Sequence, residues 1–159
     1  MVIPVTIAAI VLIDQLTKHL IRTNFQVGET LPVISDVLHL TYVRNRGAAF
    51  SMFENTHFVT IIIPIIIIAS CIGALIYFRK EIPSKLAFFI ALIIAGGMSN
   101  LFDRIMLGYV TDMIDFRIFP VFNIADIAVC LGCALLIIYE FFFDRGKDNK
   151  TDPKESERE

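Results

Sequence analysis

The common catalytic signatures are missing from this chain. H-E-x-x-H, G-x-S-x-G and the P-loop pattern are all absent. That sets aside the helical zinc peptidase, the nucleophile-elbow hydrolase and the phosphate-cradling loop. Histidine is scarce: His19, His39 and His57 are scattered, and none adjoins a Ser or Cys in a recognisable constellation. A Ser–Lys dyad would have to join Lys18 to Ser99 or Ser51, and little supports it. Cysteine is equally scarce, and Cys71, Cys130 and Cys133 all fall inside apolar runs. Cys130-x-x-Cys133 has no second Cys or His cluster to complete a zinc site, so these thiols read as packing residues. The net charge of −2 offers no basic patch, so no nucleic-acid partner is expected. No inverted pair of broken apolar segments is present, which argues against a transporter. Neither a metal nor any other cofactor is implied.

What the chain has in excess is apolar sequence. Hydrophobic residues make up 56% of its 159 positions, against about 45–50% in a soluble domain. They gather in blocks of about 20 residues, the length that crosses a hydrocarbon core of about 30 Å. Four spans are expected, at about residues 2–21, 58–78, 86–102 and 122–143. Together they form a single all-α membrane domain over 1–143. The first block lacks a preceding Lys or Arg and a following A-x-A-like site, so it reads as a span and not a secretory leader. Pro64 should kink the second span or sit in its first turns.

Between the first two spans, residues 23–57 change character. Leu38-His39-Leu40-Thr41-Tyr42-Val43 favours β structure, so a small extracytoplasmic β platform is expected there. Residues 105–120 form a second outer segment. Residues 144–159 are highly charged without apolar periodicity and read as a disordered cytoplasmic tail. Lys and Arg near span ends favour both termini in the cytoplasm, eight against five, with the 79–85 loop densely basic.

Polar groups inside such a chain need a reason. A carboxyl group near a bilayer costs several kcal/mol unless it meets a partner or a polar cavity. Asp112 and Asp126 are two such groups, and two together suggest a pair sharing one proton. Asp115 competes with Asp112, since its flanks are equally apolar and spacing does not choose between them. Asp126 also fits a plain helix cap, because acids are favoured in a first turn. Asp14 and Lys18 share a helical face at i, i+4, as an ion pair or a substrate-facing couple. Asn45-Arg46-Gly47-Ala48-Ala49-Phe50 sets an amide before small residues that allow close approach. Gly96, Asn100 and Asp103 or Arg104 line one face at the end of the third span. Gly96 there fits helix packing, and the polar three are suited to hydrogen-bonding the loop that carries Asp112. Asn123 precedes Asp126 by three positions.

Taken in order, these motifs resemble a known family. The series is Asp14-x-x-Thr17-Lys18, Asn45-x-Gly47-Ala48-Ala49-Phe50, Asn100-x-x-Asp103-Arg104, Gly108-x-Val110-x-Asp112 and Phe122-Asn123-x-Ala125-Asp126. It is similar to that of bacterial lipoprotein signal peptidase (signal peptidase II), over about residues 10–140. The resemblance implies an aspartic endopeptidase of the bacterial cytoplasmic membrane, with its site toward the outer face. It would remove signal peptides from prolipoproteins, cutting before a diacylglyceryl-modified cysteine. The family's catalytic aspartates fall on Asp112 and Asp126. Asp14, Lys18, Asn45, Gly47, Asn100, Asp103, Arg104 and Asn123 take the substrate-binding or supporting positions. Met113 stands where the family usually has Phe, an apolar change beside the site that would alter pocket shape. Prolipoproteins and membrane lipid are the expected partners, and the protein should act as a monomer. A small ion- or proton-conducting protein, or an assembly subunit, remains an alternative reading of the same acids.

Overall fold

The computed structural model describes residues 2–47 and 58–144. Ala48, Ala49, Phe50, Ser51, His57 and the 145–159 tail lie outside the described residues. Helix α1 (Val2–Asn24) leads to strands β1 (Thr30–Ile34) and β2 (Leu38–Asn45). Helix α2 (Ile63–Tyr77) follows a single π turn at Phe58–Ile62, then come α3 (Ser84–Leu107), strand β3 (Val110–Asp115) and α4 (Ile124–Tyr139). Among the described residues, four helical segments are long and apolar enough to cross a bilayer: Ile3–Asn24, Phe58–Tyr77, Ser84–Leu107 and Ile124–Phe142. The protein is a multi-pass membrane protein with a small sheet at one end of its helices.

Local chemistry sets the helix ends. Pro64 sits in the first turn of α2, directly after the π turn at Phe58–Ile62, and an irregular turn is where a helix accommodates a residue without an N–H. Helix α3 runs to Leu107, five residues past the expected end, because Asp103 and Arg104 turn toward protein partners and need no water. Gly108 then stops it in the left-handed region at φ 77°, its N–H returning to the Arg104 carbonyl at 3.1 Å. Helix α4 opens with a full capping box. The Asn123 side chain accepts from the Asp126 N–H, and the Asp126 carboxylate accepts from the Asn123 N–H.

Helix α3 is the hub of the bundle, with Ala87, Ala91, Ile94, Ala95 and Gly96 buried. A methyl group at Gly96 would fall on the Ala125 carbonyl oxygen, and one at Gly132 would come within 2.7 Å of the Phe89 carbonyl. Helices α3 and α4 therefore touch backbone to backbone, as small residues permit in a membrane, where packing drives association.

The three strands form one antiparallel sheet in the order β1-β2-β3. Residues 105–120 thus contribute a strand that sequence alone did not announce. Its polar side chains mask the alternation that marks a half-buried strand. The register sets Val43 opposite Asp112 and Asn45 opposite Val110, so β2 carries Asn45 alongside Asp112. The other side of the sheet packs on α1 through Ile21, Tyr42 and Met113. Met113 therefore points away from Asp112 into this second core. Its side chain lines an apolar cavity of about 490 Å³ with Leu20, Phe25 and Leu40, not the cavity at Asp112.

Candidate active site

The site is assembled where α1, α3, β3 and the first turn of α4 converge. Its base is a charged knot inside the bundle. Asp14, Lys18 and Asp103 are each fully buried. The Lys18 ammonium lies 2.7 Å from Asp14 Oδ2, 3.3 Å from Asp103 Oδ2 and 2.9 Å from Asn100 Oδ1. An ammonium has three N–H donors, and all three are used. Asp14 Oδ2 also accepts from Ser99 Oγ at 2.6 Å, and its Oδ1 accepts from the Ala125 N–H at 2.8 Å. Asp14 thereby pins the first turn of α4. The Asp14–Lys18 pair is structural in its contacts. An ion pair this deep is tolerated only when such extra hydrogen bonds satisfy both partners.

Asp103 reaches the other way. Its Oδ2 accepts from the Thr111 N–H at 3.1 Å, one residue before Asp112. This is the bond expected between the end of the third span and the loop carrying Asp112. Arg104 donates from Nη2 to the Gly47 carbonyl at 3.1 Å, tying β2's exit to α3.

Above the knot lie the two carboxylates. Asp112 Oδ1 accepts from Asn123 Nδ2 at 2.7 Å, and Oδ2 accepts from Asn45 Nδ2 at 3.0 Å. Asp126 Oδ1 accepts from Asn100 Nδ2 at 2.8 Å, and Oδ2 accepts from the Asn123 N–H at 3.1 Å. Asn123 therefore touches both carboxylates, one through its side chain and one through its backbone. The pair lies within the span of one residue, although 14 positions separate it in sequence (126 − 112). Burial, then the charge of Asp126, push the Asp112 carboxyl up to about 7, against the pull of Asn45, Asn123 and Lys18.

A cavity of about 240 Å³ opens on the pair, lined by Asn45, Asn100, Arg104, Asp112, Phe122 and Asp126. A second, of about 280 Å³, runs between α2, α3 and α4 past Pro64, Ile68 and Val129. Both are bordered by Asn100, Arg104, Asp126 and Cys130. One route thus leads from the sheet to the carboxylates and the other from the apolar helices to the same point.

Asp115 has other work. Thr41 Oγ1 donates to its Oδ2 at 2.7 Å, and Arg117 donates to it through its backbone N–H at 2.8 Å and its guanidinium at 3.2 Å. Burial raises this carboxyl, but the hydrogen bonds outweigh it and hold Asp115 below its ordinary value. Three positions along a strand put it on the opposite face from Asp112. Spacing left the two equal; their partners separate them.

All ten residues expected at the site fall in this assembly or directly against it. Gln15, Arg22 and Thr111 were missed, and so was the supporting place of Ser99, which was weighed only as a nucleophile beside Lys18 and instead donates to Asp14. Gln15 Nε2 donates to Ser99 Oγ and Asp103 Oδ1, each at 3.0 Å, and Arg22 donates to Thr111 Oγ1 at 3.2 Å. Gln15 and Ser99 could have been suspected as polar residues inside apolar blocks. Thr17 turns away, its hydroxyl spent on the Ile13 and Asp14 carbonyls.

Fold and site together define a multi-pass membrane protein built around a buried carboxylate pair. The family model described as signal peptidase (SPase) II matches residues 6–142. The chain is 42% identical over 135 residues to a lipoprotein signal peptidase of Halothermothrix orenii, covering 85% of this chain and 92% of that protein. It is 42% identical over 156 residues to one of Desulfitobacterium hafniense, covering 96% and 100%. A solved structure of a bacterial membrane enzyme superposes with a TM-score of 0.86 at 32% identity, over 95% of this chain and 94% of that one. The chain belongs to the signal peptidase II family, and is thus a protease of the lipoprotein signal peptidase type.

Proposed function

We propose that Asp112 and Asp126 are a catalytic dyad. It cleaves prolipoproteins on the N-terminal side of a diacylglyceryl-modified cysteine. The observation that carries this reading is the convergence of the two carboxylates on Asn123, at the junction of the two cavities. Charge balance favours one retained proton. The carboxylates of Asp14, Asp103, Asp112 and Asp126 face the cations of Lys18, Arg22 and Arg104. Four acids against three bases become neutral when the pair keeps a single proton, which is also what two adjacent buried carboxyls prefer.

In this mechanism the ionised carboxylate takes a proton from a water held between the two. The protonated partner donates a hydrogen bond to the scissile carbonyl. Water attacks, and the gem-diol collapses as the proton passes to the leaving amine. No covalent enzyme intermediate and no metal enter the scheme. Asn45, Asn100 and Asn123 hold the carboxyl groups in place, and Asp14, Lys18 and Asp103 hold those amides and the backbone that carries them. The groove between α2, α3 and α4 suits the apolar signal segment and acyl chains. The enzyme sits in the bacterial cytoplasmic membrane as a monomer, both termini in the cytoplasm and the site toward the outer face.

The test is cleavage of a diacylglyceryl-modified prolipoprotein in detergent, with chelator present. Asp112→Asn and Asp126→Asn should each lower the rate by at least about 10²–10⁴-fold while the protein stays folded. Appreciable cleavage by either variant sinks the dyad. A conducting protein would cut nothing in this assay.

A further inference from the structure

The two asparagines that touch the dyad each have a donor end and an acceptor end, and only one orientation serves a carboxylate. Asn123 is fixed by its own capping bond, since its Oδ1 accepts from the Asp126 N–H at 2.9 Å and so turns its NH2 toward Asp112. Asn100 has no such local anchor. Its Oδ1 accepts from Lys18 at 2.9 Å and from Asn123 at 3.2 Å, which leaves its NH2 for Asp126 at 2.8 Å. Lys18 can only donate. A flipped Asn100 would set its NH2 against an ammonium and its oxygen against a carboxylate.

We propose that Lys18 is a positioning residue for catalysis. Its ammonium locks the Asn100 amide so that a donor always faces Asp126, and its charge helps set the pH range over which the pair holds one proton. The proposal rests on the dyad reading above. Lys18 comes from α1 and touches neither carboxylate of the pair; it acts through Asn100 on α3. The groups around it are Asp14 on α1, Asp103 and Asn100 on α3, with Arg22 on α1 against Asp103. Asp112 on β3, Asp126 on α4 and Arg104 on α3 lie beyond Asn100. Asp14 and Asp103 occupy the other two donors of Lys18, so the ammonium cannot swing away from Asn100 without leaving a buried carboxylate bare. That network makes Lys18 rigid enough to act as a lock.

The experiment is a double-mutant cycle on cleavage of a diacylglyceryl-modified prolipoprotein in detergent, with kcat, KM and the pH profile read separately. Lys18→Met and Asn100→Leu should each lower kcat by about 10–100-fold with little change in KM. If Lys18 works through Asn100, the double variant is no slower than the slower single one. In Lys18→Met the alkaline limb of the profile should also move to higher pH, because a cation that favours ionisation is gone. Multiplying losses, or an unmoved limb, would overturn the proposal: a purely structural lysine lowers the folded fraction without shifting the profile. Should Lys18→Met not fold, Lys18→Met with Asp14→Asn removes the cation together with the carboxylate it alone neutralises, Asp103 keeping Arg22, and the same two readouts apply. Active Asp112→Asn or Asp126→Asn would defeat the dyad itself. Dead aspartate variants beside an additive cycle would defeat only the role of Lys18.

Discussion

At the residue scale, the carboxyl group of Asp112 is held in a place that suits its neutral form. Its value of about 7 in the fold stands against an ordinary 3.8. Between those values the unfolded chain has lost its proton and the folded one has not. Stability therefore falls as pH rises from about 4 to 7, because the folded state binds more protons there. Asp112→Asn removes that slope whatever its constant offset. The melting temperature of the variant minus that of the wild type should grow from about pH 4 to about pH 7 and level off above it. A flat difference in thermal-shift assays would show that Asp112 ionises freely. Asp115 gives the opposite expectation. Asp115→Asn weakens its bonds to Thr41 and Arg117, which should cost about 1–2 kcal/mol of stability and leave kcat nearly unchanged. If that variant were inactive and Asp112→Asn active, the dyad would be misassigned.

These two aspartates also show what was legible at this scale. Each is a buried acid in a mostly apolar stretch, and spacing alone does not choose between them. What separates them is partner geometry: Asn45 crosses from β2 to one, and Thr41 from the same strand to the other. Cross-strand register depends on a bulge between Leu40 and Val43, and no local pattern announces it. Met113 was misread for the same reason. Adjacency in sequence suggested adjacency to the site, whereas alternation along β3 sends it to the opposite face.

At the scale of elements, the four spans were plain, because length and apolarity of a membrane helix need no tertiary information. Their ends were less so. Helix α3 outlasted its apolar stretch by using Asp103 and Arg104 as internal struts. Strand β3 was hidden because its buried polar residues carry no alternation. The α3–α4 seam was only half visible: Gly96 suggested packing, but nothing in the sequence marked Gly132 as part of the same seam. Backbone contact at Gly96 and Gly132 decides for packing. Gly96→Ala would press a methyl group onto a carbonyl that is itself fixed by helix α4. A cost of about 1–3 kcal/mol is expected. Because Ala125 lies one residue before Asp126, the push should also lower kcat. Gly73→Ala is the control, having open space at its Cβ. Equal melting temperatures for Gly96→Ala and Gly73→Ala would contradict this packing.

At the scale of the whole molecule, the helices and the sheet divide the labour. Helix α3 joins the knot at Lys18 to the backbone at Thr111 and Gly47, so the sheet is bolted to the bundle by charged groups. Such bolts work only if the sheet lies where water can reach the cavity, at one membrane face. The proposed topology makes that face the outer one. Arg79, Lys80 and Lys85 crowd the turn between α2 and α3 at the other end of the bundle, and a dense short basic loop is the element the positive-inside rule weighs most. Single cysteines placed at Lys80 and at Asp36 should therefore label oppositely in intact cells, on a background with Cys71, Cys130 and Cys133 replaced. Position 36, in the β1–β2 turn, reacts with a membrane-impermeant maleimide, and position 80 reacts only after the membrane is opened. The reverse pattern would put the carboxylate pair on the cytoplasmic side, where it could not meet a substrate already carried across the bilayer.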